Sequence, residues 1–383
     1  MKEKYMYRAI ELAKKGAGWV SPNPLVGAVI VKDGRVIGEG YHRRYGGLHA
    51  ERDALANCME SPEGATVYVT LEPCCHHGKQ PPCVDALIEA GISHVVVGSG
   101  DPNPLVAGKG MKRLQEAGIQ VTEHFLEKEC DALNEVFFHY ITTKMPYVVL
   151  KYAMTMDGKI ATHTGASKWI TGEEARRHVQ KLRHQYRGIM VGVGTVLADA
   201  PQLTCRMENG RNPIRIICDT HLRTPLDAKV VQSATTDIEE LEKNPAKAQT
   251  IIATCERDER KHADYLRAGC RVIVVPELDG HVDLRSLCKT LGEEGIDSIL
   301  LEGGASLNWS ALKDGIVKKV MTYIAPKLFG GENAKTPVAG TGVEIPRDAF
   351  LLKNSKVRSI GEDVLIESEV EMLCSQESLK KQV

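Results

Sequence analysis

The sequence lacks long apolar runs, a marked excess of charge of one sign and tracts of low complexity. No apolar segment approaches the length of a membrane span, and the charged, amphipathic segment 1–15 does not look like a secretion signal. The 49 basic and 50 acidic residues nearly cancel, which disfavours extended binding to nucleic acid. We therefore expect a soluble, cytoplasmic protein that binds neither nucleic acid nor a membrane.

Chain length and cysteine content set two further limits. At 383 residues the chain is long for a single hydrophobic core and suits two domains. Its eleven cysteines, an odd number, lie mostly in segments patterned as strands or helices. In a reducing compartment such residues are buried thiols, so we expect no disulfide framework.

Strand and helix patterns alternate along the chain, which predicts an α/β fold in both halves. In the first half, helices are predicted over 1–17, at His49, at Cys83, and over 108–117 and 129–143, with strands over 25–31, 35–40, 66–71, 94–98 and 120–124. In the second half, strands are predicted from 147 and over 188–193, 213–218, 249–254, 271–275, 297–301 and 317–325, with helices over 173–187, 259–268, 283–294 and 304–313. This order favours a largely parallel second sheet.

The domain boundary is predicted where Lys144-Met145-Pro146 ends the last helix of the first half. The domains are then 1–145 and 146–372, followed by a polar tail at 373–383. A polar run over 233–248 is predicted to be a surface insertion.

Three side chains in two separated segments of the first half suit a catalytic zinc site. His49, Cys74 and Cys83 offer one imidazole and two thiolates, which suits tetrahedral Zn²⁺ with its fourth position left to water. On a helix beginning near Leu48, Glu51 can face that water without binding the ion. Bound Zn²⁺ lowers the pKa of its water, and a carboxylate can then carry protons to a leaving amine. The pattern predicts one zinc ion per chain and a hydrolytic deamination, with Glu51 as the catalytic acid and base.

Other side chains compete as ligands, namely Cys75, His76 and His77. The deaminase motif is H-x-E followed by P-C-x-x-C, and here Cys74 follows a proline but eight residues separate it from Cys83. Cys83 opens an apolar-periodic segment, and the start of a helix stabilises a thiolate. The alternative is a surface loop with unrelated thiols and histidines.

Three further side chains of the first half are candidates for substrate recognition. The amide of Asn23 has a donor and an acceptor that match a lactam edge, although a turn between two prolines also explains this residue. His42 is a second candidate. Lys79, in the loop between the two cysteines, can meet a phosphate.

No G-x-G-x-x-G sequence follows a strand in the second half, so a standard Rossmann site is not supported. Two strand-to-helix junctions, Gly192–Thr195 and Leu301–Asn308, can nevertheless present backbone N–H groups to phosphates. One such junction is more often only a turn, but two on one sheet fit a dinucleotide. Lys151 can assist opening of a sugar ring or protonate an imine that accepts hydride; the alternative is an edge-strand charge.

Motifs along nearly the whole chain closely resemble, in the same order, the bifunctional deaminase/reductase family of riboflavin biosynthesis. They are SPNPLVG at 21–27, LEPCCHHGKQPPC at 71–83, AMTMDGK at 153–159, SKWIT at 167–171, DAPQLT at 199–204 and LEGG at 301–304. The resemblance implies a cytidine-deaminase-like first domain and a second domain that is similar to dihydrofolate reductase and uses NADPH. The implied substrate is 2,5-diamino-6-(5-phosphoribosylamino)pyrimidin-4-one, which loses an amine before the ribosyl group of the resulting uracil is reduced to ribityl. The family also implies a homo-oligomer, either a dimer or a tetramer.

By motif position, the resemblance implies two sets of residues in the second half. The cofactor set is Ala153, Trp169, Thr195, Asp199, Gly304, Ala305, Ser306, Leu307, Asn308, Trp309 and Ser310. The substrate set is Ser167, Arg183, Leu203, Arg206 and Glu302. Arg183 and Arg206 offer planar guanidinium groups that suit a sugar phosphate. The alternatives are a solvated helix face for Arg183 and a core position for Trp169.

Two other functions fit parts of the pattern. An enzyme that acts on nucleic-acid bases would share the zinc motif, but the balanced charge, the 5% of aromatic residues and the long cysteine spacing disfavour it. A zinc-stabilised scaffold would hold a structural ion and would not need Glu51.

Overall fold

The computed structural model describes residues 2–78, 80–244 and 246–371. The chain divides into two compact units, Met1–Lys144 and Met145–Val383. The tail predicted over 373–383 lies outside the described residues. Among the residues described, no helix combines the length and the apolar character that a membrane span requires.

The first unit is built on a five-stranded mixed sheet. Its strands are β1 (Gly27–Lys32), β2 (Arg35–Tyr41), β3 (Thr66–Leu71), β4 (His94–Ser99) and β5 (Gln120–Thr122). Its helices are α1 (Glu3–Lys14), α2 (Ala50–Ala56), α3 (Cys83–Glu89), α4 (Lys109–Glu116), α5 (Glu127–Asp131) and α6 (Glu135–Thr143). The strand order is β2-β1-β3-β4-β5, with β1 antiparallel to β2 and β3 and with β3, β4 and β5 parallel.

Both faces of this sheet are covered, because successive side chains of a strand point to opposite sides. Val67 and Val69 of β3 join a core formed with α2, α3 and α4, whereas Tyr68 joins a second core formed with α1 and α5. Burial on both sides explains why β3 and β4 are almost continuously apolar. Since α2 and α3 share one face, His49 before α2 and Cys83 at the start of α3 are brought to the same region.

The prediction of one continuous helix over 129–143 was wrong, because the helix is interrupted at Asn134, between α5 and α6. The Asn134 side chain, which is 2% exposed, accepts a hydrogen bond from the backbone N of Leu25 at 2.8 Å and donates one to Leu25 O at 3.0 Å. The amide therefore pairs with the backbone of a segment 109 residues earlier in the chain. A contact so distant in sequence leaves no local signal.

The second unit contains a nine-stranded sheet. Its strands are β6 (Tyr147–Thr155), β7 (Gly188–Gly192), β8 (Ile214–Cys218), β9 (Thr250–Thr254), β10 (Arg271–Val274), β13 (Ser298–Leu301), β14 (Val317–Ala325), β15 (Leu352–Ile360) and β16 (Asp363–Val370), and a separate hairpin is formed by β11 (Glu277–Leu278) and β12 (His281–Val282). The helices are α7 (Glu173–Gln185), α8 (Val193–Asp199), α9 (Lys229–Gln232), α10 (Ile238–Lys243), α11 (Glu259–Arg267), α12 (Leu284–Glu293) and α13 (Ala305–Lys313). The polar run predicted as an insertion contains α10.

The order of the large sheet is β10-β9-β8-β7-β13-β6-β14-β16-β15. The strands from β10 to β14 are parallel, and β16 and β15 are added in antiparallel pairing. Parallel strands bring their carboxyl ends to one edge of the sheet, which is where ligands bind in open α/β folds. The junctions that follow β7, β8 and β13 therefore lie side by side.

The C-terminal hairpin of β15 and β16 was not predicted from the sequence. β15 reads Leu-Lys-Asn-Ser-Lys-Val-Arg-Ser-Ile, and all of its residues except Ile360 are exposed. A strand on the edge of a sheet buries little, so the alternation of apolar and polar residues that marks half-buried strands is absent here.

Candidate active sites

In the first unit the side chains of His49, Cys74 and Cys83 converge on one point. Their ligand atoms all lie within 4.8 Å of one another. His49 Nδ1 is 3.4 Å from Cys74 Sγ and 3.4 Å from Cys83 Sγ. Zn–N and Zn–S bonds of ordinary length at a tetrahedral angle separate nitrogen from sulfur by about 3.6 Å. The two nitrogen–sulfur distances are thus close to those of a bound zinc ion.

The two thiols share one proton, which explains the opposite shifts of their pKa values. The hydrogen bond from Cys83, with a further one involving His49, lowers the pKa of Cys74 to about 4 despite its burial. The same bond to Cys74, followed by burial, raises the pKa of Cys83 well above its usual range. A divalent cation takes the place of such a shared proton, because metal ligation requires both thiolates.

Glu51 lies in the first turn of α2, directly after the N-cap residue His49 and Ala50. Its side chain is buried, with the residue 3% exposed, and lines the same cavity as His49 and Cys74. Burial raises the pKa of Glu51 to about 7, and the nearby Cys74 adds to the effect. A carboxyl group with a pKa near neutrality can both accept and donate a proton at physiological pH.

His42 and Asn23 form a hydrogen-bonded pair in the wall of this cavity. His42 Nδ1 is 2.9 Å from the carbonyl oxygen of Leu48, so this nitrogen carries the proton. His42 Nε2 therefore accepts from Asn23 Nδ2, at 3.1 Å. Burial lowers the pKa of His42, which keeps the ring neutral. With its nitrogen held in this way, the Asn23 amide has its oxygen left to accept a hydrogen bond.

The cavity has a volume of about 280 Å³ and includes side chains that the sequence did not single out for substrate. Asp101, Asn103, His76 and Tyr140 all line it. Burial raises the pKa of Asp101 to about 6, and Nδ1 of His76 is buried with no hydrogen-bond partner among the described residues. Asp101 and Asn103 follow the carboxyl end of β4. Ligands bind at the carboxyl ends of strands in open α/β sheets, so polar residues at this position were the sequence signal that could have identified them.

The loop between the two cysteines is tied to the rest of the unit at several points. Arg52 Nη2 donates to Pro82 O at 2.8 Å, and Gln80 Nε2 donates to Gly46 O at 3.1 Å. Cys75 Sγ lies 3.8 Å from Leu105 O and takes no part in the three-ligand group. Lys79, the predicted phosphate contact, lies outside the described residues.

In the second unit Arg183 and Glu302 contact each other. Arg183 Nε and Nη2 donate to the two carboxylate oxygens of Glu302, both at 2.9 Å, and Nη1 donates to Thr204 O at 3.1 Å. Burial alone would raise the pKa of Glu302, but the charges of Arg183 and Lys151 outweigh it and lower the pKa to about 2. The Arg183 fork that seemed suited to a phosphate is thus occupied by a carboxylate.

Lys151, on β6, completes this charged group. Burial lowers the pKa of Lys151, while the carboxylate of Glu302 opposes that effect. Its Nζ also lies 5.6 Å from the centre of the Tyr323 ring. Two cations sharing one carboxylate leave the second cation incompletely neutralised, which suits a lysine that gives up a proton.

The remaining predicted substrate residues differ in exposure. Arg206 is exposed, and its backbone N donates to Gln180 Oε1 at 2.9 Å. Leu203 is 3% exposed within a core cluster, which leaves its backbone as the part that can meet a ligand. Ser167 Oγ is 3.5 Å from Asp199 Oδ1, so these two predicted residues lie together.

The two glycine-containing junctions after β7 and β13 come together at the sheet edge. A Cβ atom on Gly304 would be 3.4 Å from Thr195 Oγ1, which places the start of α13 against α8. Ser306, Leu307 and Ser310 line a cavity there together with Gly192 and other residues. The backbone O of Ala305 accepts a hydrogen bond from Ala339 N.

Two residues of the predicted cofactor stretch face elsewhere. Asn308 is buried, and its Nδ2 donates to Pro337 O at 2.8 Å. Trp309 packs edge-on against Phe350, with ring centres 5.8 Å apart. Trp169, by contrast, is 59% exposed with Arg176 stacked 4.7 Å from its ring centre, so it is not a core residue. Ala153 lies on β6, paired with Tyr323 of β14.

Comparisons with known proteins agree with this division into two sites. Residues 1–99 match the model of the cytidine and deoxycytidylate deaminase zinc-binding region, and residues 146–366 match the model of the RibD C-terminal domain. The riboflavin biosynthesis protein RibD of Actinobacillus pleuropneumoniae is 56% identical over 363 residues, which cover 95% of this chain and 94% of the relative.

Two solved structures are similar over almost their whole length. RibD of Acinetobacter baumannii (form 1) has a TM-score of 0.83 and 36% identity, covering 97% of this chain and 99% of its own. A diaminohydroxyphosphoribosylaminopyrimidine deaminase/5-amino-6-(5-phosphoribosylamino)uracil reductase from Thermotoga maritima has a TM-score of 0.80 and 40% identity, covering 96% and 98%.

The fold and the sites together define a two-domain enzyme, a zinc-dependent deaminase joined to an NADPH-dependent reductase. Its first domain has the cytidine-deaminase fold and its second resembles dihydrofolate reductase, which confirms the predicted fold class. The chain belongs to the RibD family of bifunctional riboflavin biosynthesis enzymes.

Proposed function

We propose that residues 1–145 remove the amine from 2,5-diamino-6-(5-phosphoribosylamino)pyrimidin-4-one and that residues 146–372 reduce the ribosyl group of the product to ribityl. The observation that carries the first part is the meeting of His49, Cys74 and Cys83 beside the buried carboxyl of Glu51, at the wall of a cavity. When bound, zinc makes a water nucleophilic near neutral pH.

His49, Cys74 and Cys83 hold the ion in this proposal, and Glu51 moves the protons. Overall, water adds to the ring carbon that bears the exocyclic amine, and the C–N bond breaks to release ammonia. Glu51 takes a proton from the attacking water and returns it to the leaving nitrogen, a role that its pKa of about 7 suits. The neighbouring charge of Cys74 contributes to that pKa, so the ligand set and the proton carrier act on each other.

Asn23 and His42 orient the pyrimidine. Because His42 Nε2 holds the nitrogen of the Asn23 amide, the amide oxygen is turned to accept a hydrogen bond from a ring N–H or amine of the substrate. Asp101 and Asn103 follow the three proposed ligands along the chain. Their side chains are additional polar contacts in the same cavity. Lys79 is assigned to the ribose phosphate on the grounds of sequence alone.

In the second domain, Lys151 is the proton donor. NADPH supplies the hydride that reduces the sugar carbon. Lys151 donates a proton to the imine nitrogen formed when the ribose ring opens, and its incomplete pairing with Glu302 supports this role. Arg206 meets the substrate phosphate, and the Arg183–Glu302 pair supports the wall of the site. Ser167 and the backbone of Leu203 complete the substrate contacts.

The predicted cofactor residues lie at the carboxyl edge of the parallel strands. Ala153, Trp169, Thr195 and Asp199 and the start of α13 are assigned to NADPH. Within α13, the side chains of Ser306 and Ser310 line the cavity, whereas those of Asn308 and Trp309 support the helix from behind.

The chain forms a homo-oligomer in this proposal, a dimer or a tetramer, with β15 at the contact between copies. β15 is an edge strand whose Leu352 and Val357 are 46% and 65% exposed. An unpaired edge with exposed apolar side chains is a surface on which another strand can add. Light scattering of the purified chain measures the state, and Val357→Asp should shift it towards the monomer.

The test of the deaminase assignment is Glu51→Gln. The variant should keep one zinc ion per chain but lose ammonia release by about 10²- to 10⁴-fold, since the amide cannot exchange protons. NADPH oxidation should persist when the deaminated product is supplied directly.

A matched control is Glu39→Gln on β2, which removes a carboxylate paired with Arg8 of α1 and should leave ammonia release unchanged. Unimpaired ammonia release in Glu51→Gln would show that Glu51 does not carry the proton, and loss of zinc from this variant would make Glu51 a ligand.

A further inference from the structure

Glu72 is a buried carboxylate to which the proposed deaminase mechanism assigns no role. It directly follows β3, two residues before Cys74, and it is 4% exposed. Its oxygens accept hydrogen bonds from backbone N–H groups, and no basic side chain in the described part of the chain forms an ion pair with it. Removing a carboxylate from water is costly unless such bonds replace its hydration, so these backbone groups explain how Glu72 is buried.

The donors to Glu72 all come from the segment that joins β4 to α4 and from the first turn of α4. Glu72 Oε1 accepts from the backbone N of Gly110 at 2.9 Å and of Met111 at 3.3 Å. Glu72 Oε2 accepts from the backbone N of Gly108 at 2.9 Å and of Asp101 at 3.4 Å. The first N–H groups of a helix have no partner within the helix, so Glu72 caps α4 from another part of the chain.

The segment that Glu72 holds carries two polar side chains of the deaminase cavity, Asp101 and Asn103. Asp101 Oδ1 accepts from Asn103 N at 2.8 Å, and Asn103 Oδ1 accepts from Leu105 N at 3.1 Å. These bonds shape the turn and leave Asp101 Oδ2 and Asn103 Nδ2 to meet a ligand. The turn is therefore ordered by its own side chains, whereas its place relative to Cys74 depends on Glu72.

The start of α4 also lies unusually close to the backbone that leads to Cys74. A Cβ atom on Gly110 would be 2.2 Å from Pro73 O and 3.1 Å from Glu72 Oε1. Only a residue without a side chain allows such an approach. Close packing and hydrogen bonds at Glu72 thus act together, and they join the substrate turn to the strand end that precedes a metal ligand.

We propose that Glu72 is a positioning residue of the deaminase, which holds the turn of Asp101 and Asn103 at the correct distance from the metal-binding group. The proposal rests on the deaminase function proposed above. Glu72 acts through the turn and not on the substrate, because both of its oxygens already accept hydrogen bonds from the backbone. A glutamine cannot replace it, since the amide NH₂ would face two backbone N–H donors where an oxygen now accepts from them.

The test is steady-state ammonia release by the full chain carrying Glu72→Gln, together with metal analysis. The KM for the diaminopyrimidine substrate should rise about 10-fold, because a displaced turn loses one or two hydrogen bonds to the substrate. The kcat should change by less than about 3-fold, since these contacts bind the substrate and its transition state alike. One zinc ion per chain should remain, because the backbone of Cys74 is also held by Val84, whose N donates to Cys74 O at 3.2 Å.

A double-variant cycle with Asn103→Ala separates positioning from general damage to the fold. If Glu72 acts through the turn, Glu72→Gln should raise the KM by clearly less in the Asn103→Ala background than it does alone. Glu72→Asp keeps the charge on a side chain that is one methylene shorter, and it should give a smaller rise in KM than Glu72→Gln. The aspartate variant also carries the measurement if the glutamine variant does not fold.

The matched control is Glu116→Gln, which makes the same substitution at the last residue of α4. The Glu116 side chain is 64% exposed and lies 3.8 Å from Lys112, in a surface pair of little energetic weight. Its KM, kcat and zinc content should equal those of the wild type.

Three outcomes overturn the proposal. An active wild type with an unchanged KM in Glu72→Gln, or fully additive effects in the cycle, would show that Glu72 does not act through the turn while leaving the deaminase function intact. Loss of zinc from Glu72→Gln would show that Glu72 supports the ligand Cys74 and not the substrate contacts. A wild type that releases no ammonia from the diaminopyrimidine would refute the deaminase function together with this proposal.

Discussion

The buried pair of Arg183 and Glu302 gives a prediction whose size can be worked out. Their side chains are 14% and 11% exposed and meet through two parallel hydrogen bonds of 2.9 Å. Removing one member of such a pair leaves an uncompensated buried charge, which costs about 3–5 kcal/mol. Glu302→Gln should therefore lower the free energy of unfolding of the second unit substantially, because Arg183 and Lys151 both lose their counter-charge.

The pKa of Glu302 provides a second route to the same magnitude. A fall from the ordinary value of 4.5 to about 2 is a stabilisation of the folded state. At neutral pH this corresponds to about 3 kcal/mol. An acid with a lowered folded-state pKa stabilises the fold fully above its unfolded pKa and loses that effect as the pH falls through the folded value. The contribution should therefore decline between pH 4.5 and pH 2 and be about 1 kcal/mol at pH 3.

Differential scanning calorimetry is the appropriate assay, because two compact units can give two transitions. At pH 7 the Glu302→Gln transition of the second unit should fall by about 6–12 °C, given about 2–4 °C per kcal/mol for a domain of this size. The transition of the first unit should not move. At pH 3 the difference between variant and wild type should shrink by more than half.

The double variant Arg183→Met/Glu302→Leu tests the physical reasoning. Since apolar side chains of similar size can replace a buried ion pair at little cost, the double variant should be more stable than Glu302→Gln. A shift of less than about 3 °C in the single variant, or a shift that is the same at pH 3 and pH 7, would refute the assignment of a strongly coupled buried pair.

Two further predictions concern the first unit. Cys83→Ser should lose zinc and ammonia release together, whereas Cys75→Ser should keep both. Cys75 Sγ lies against Leu105 O, outside the group of three ligands. Metal analysis of the purified variants, together with an ammonia assay, tests this prediction. Gly110→Ala should destabilise the first unit by about 1–3 kcal/mol, measured by urea unfolding. The added Cβ would come 2.2 Å from the carbonyl oxygen of Pro73, the residue immediately before Cys74. An unchanged midpoint would mean that this contact can relax.

The convergence of His49, Cys74 and Cys83 was accessible from sequence because coordination chemistry restricts the residue types. An imidazole, two thiolates and a carboxylate two residues from the imidazole are uncommon together, and His49, Glu51 and Cys83 stand at recognisable helix starts. The regular elements were accessible for a related reason. The predicted strands over 66–71 and 317–325 coincide with β3 and β14, because both are rich in the β-branched and apolar residues that favour strands.

Contacts between segments distant in sequence were not accessible. The pairing of Arg183 with Glu302 spans 119 residues, and from sequence alone the arginine looked suited to a phosphate. Asn134 interrupts a helical pattern because it bonds to Leu25, and β15 is polar because it lies on an edge. In each case the side chain has several plausible partners, and only the tertiary structure selects one.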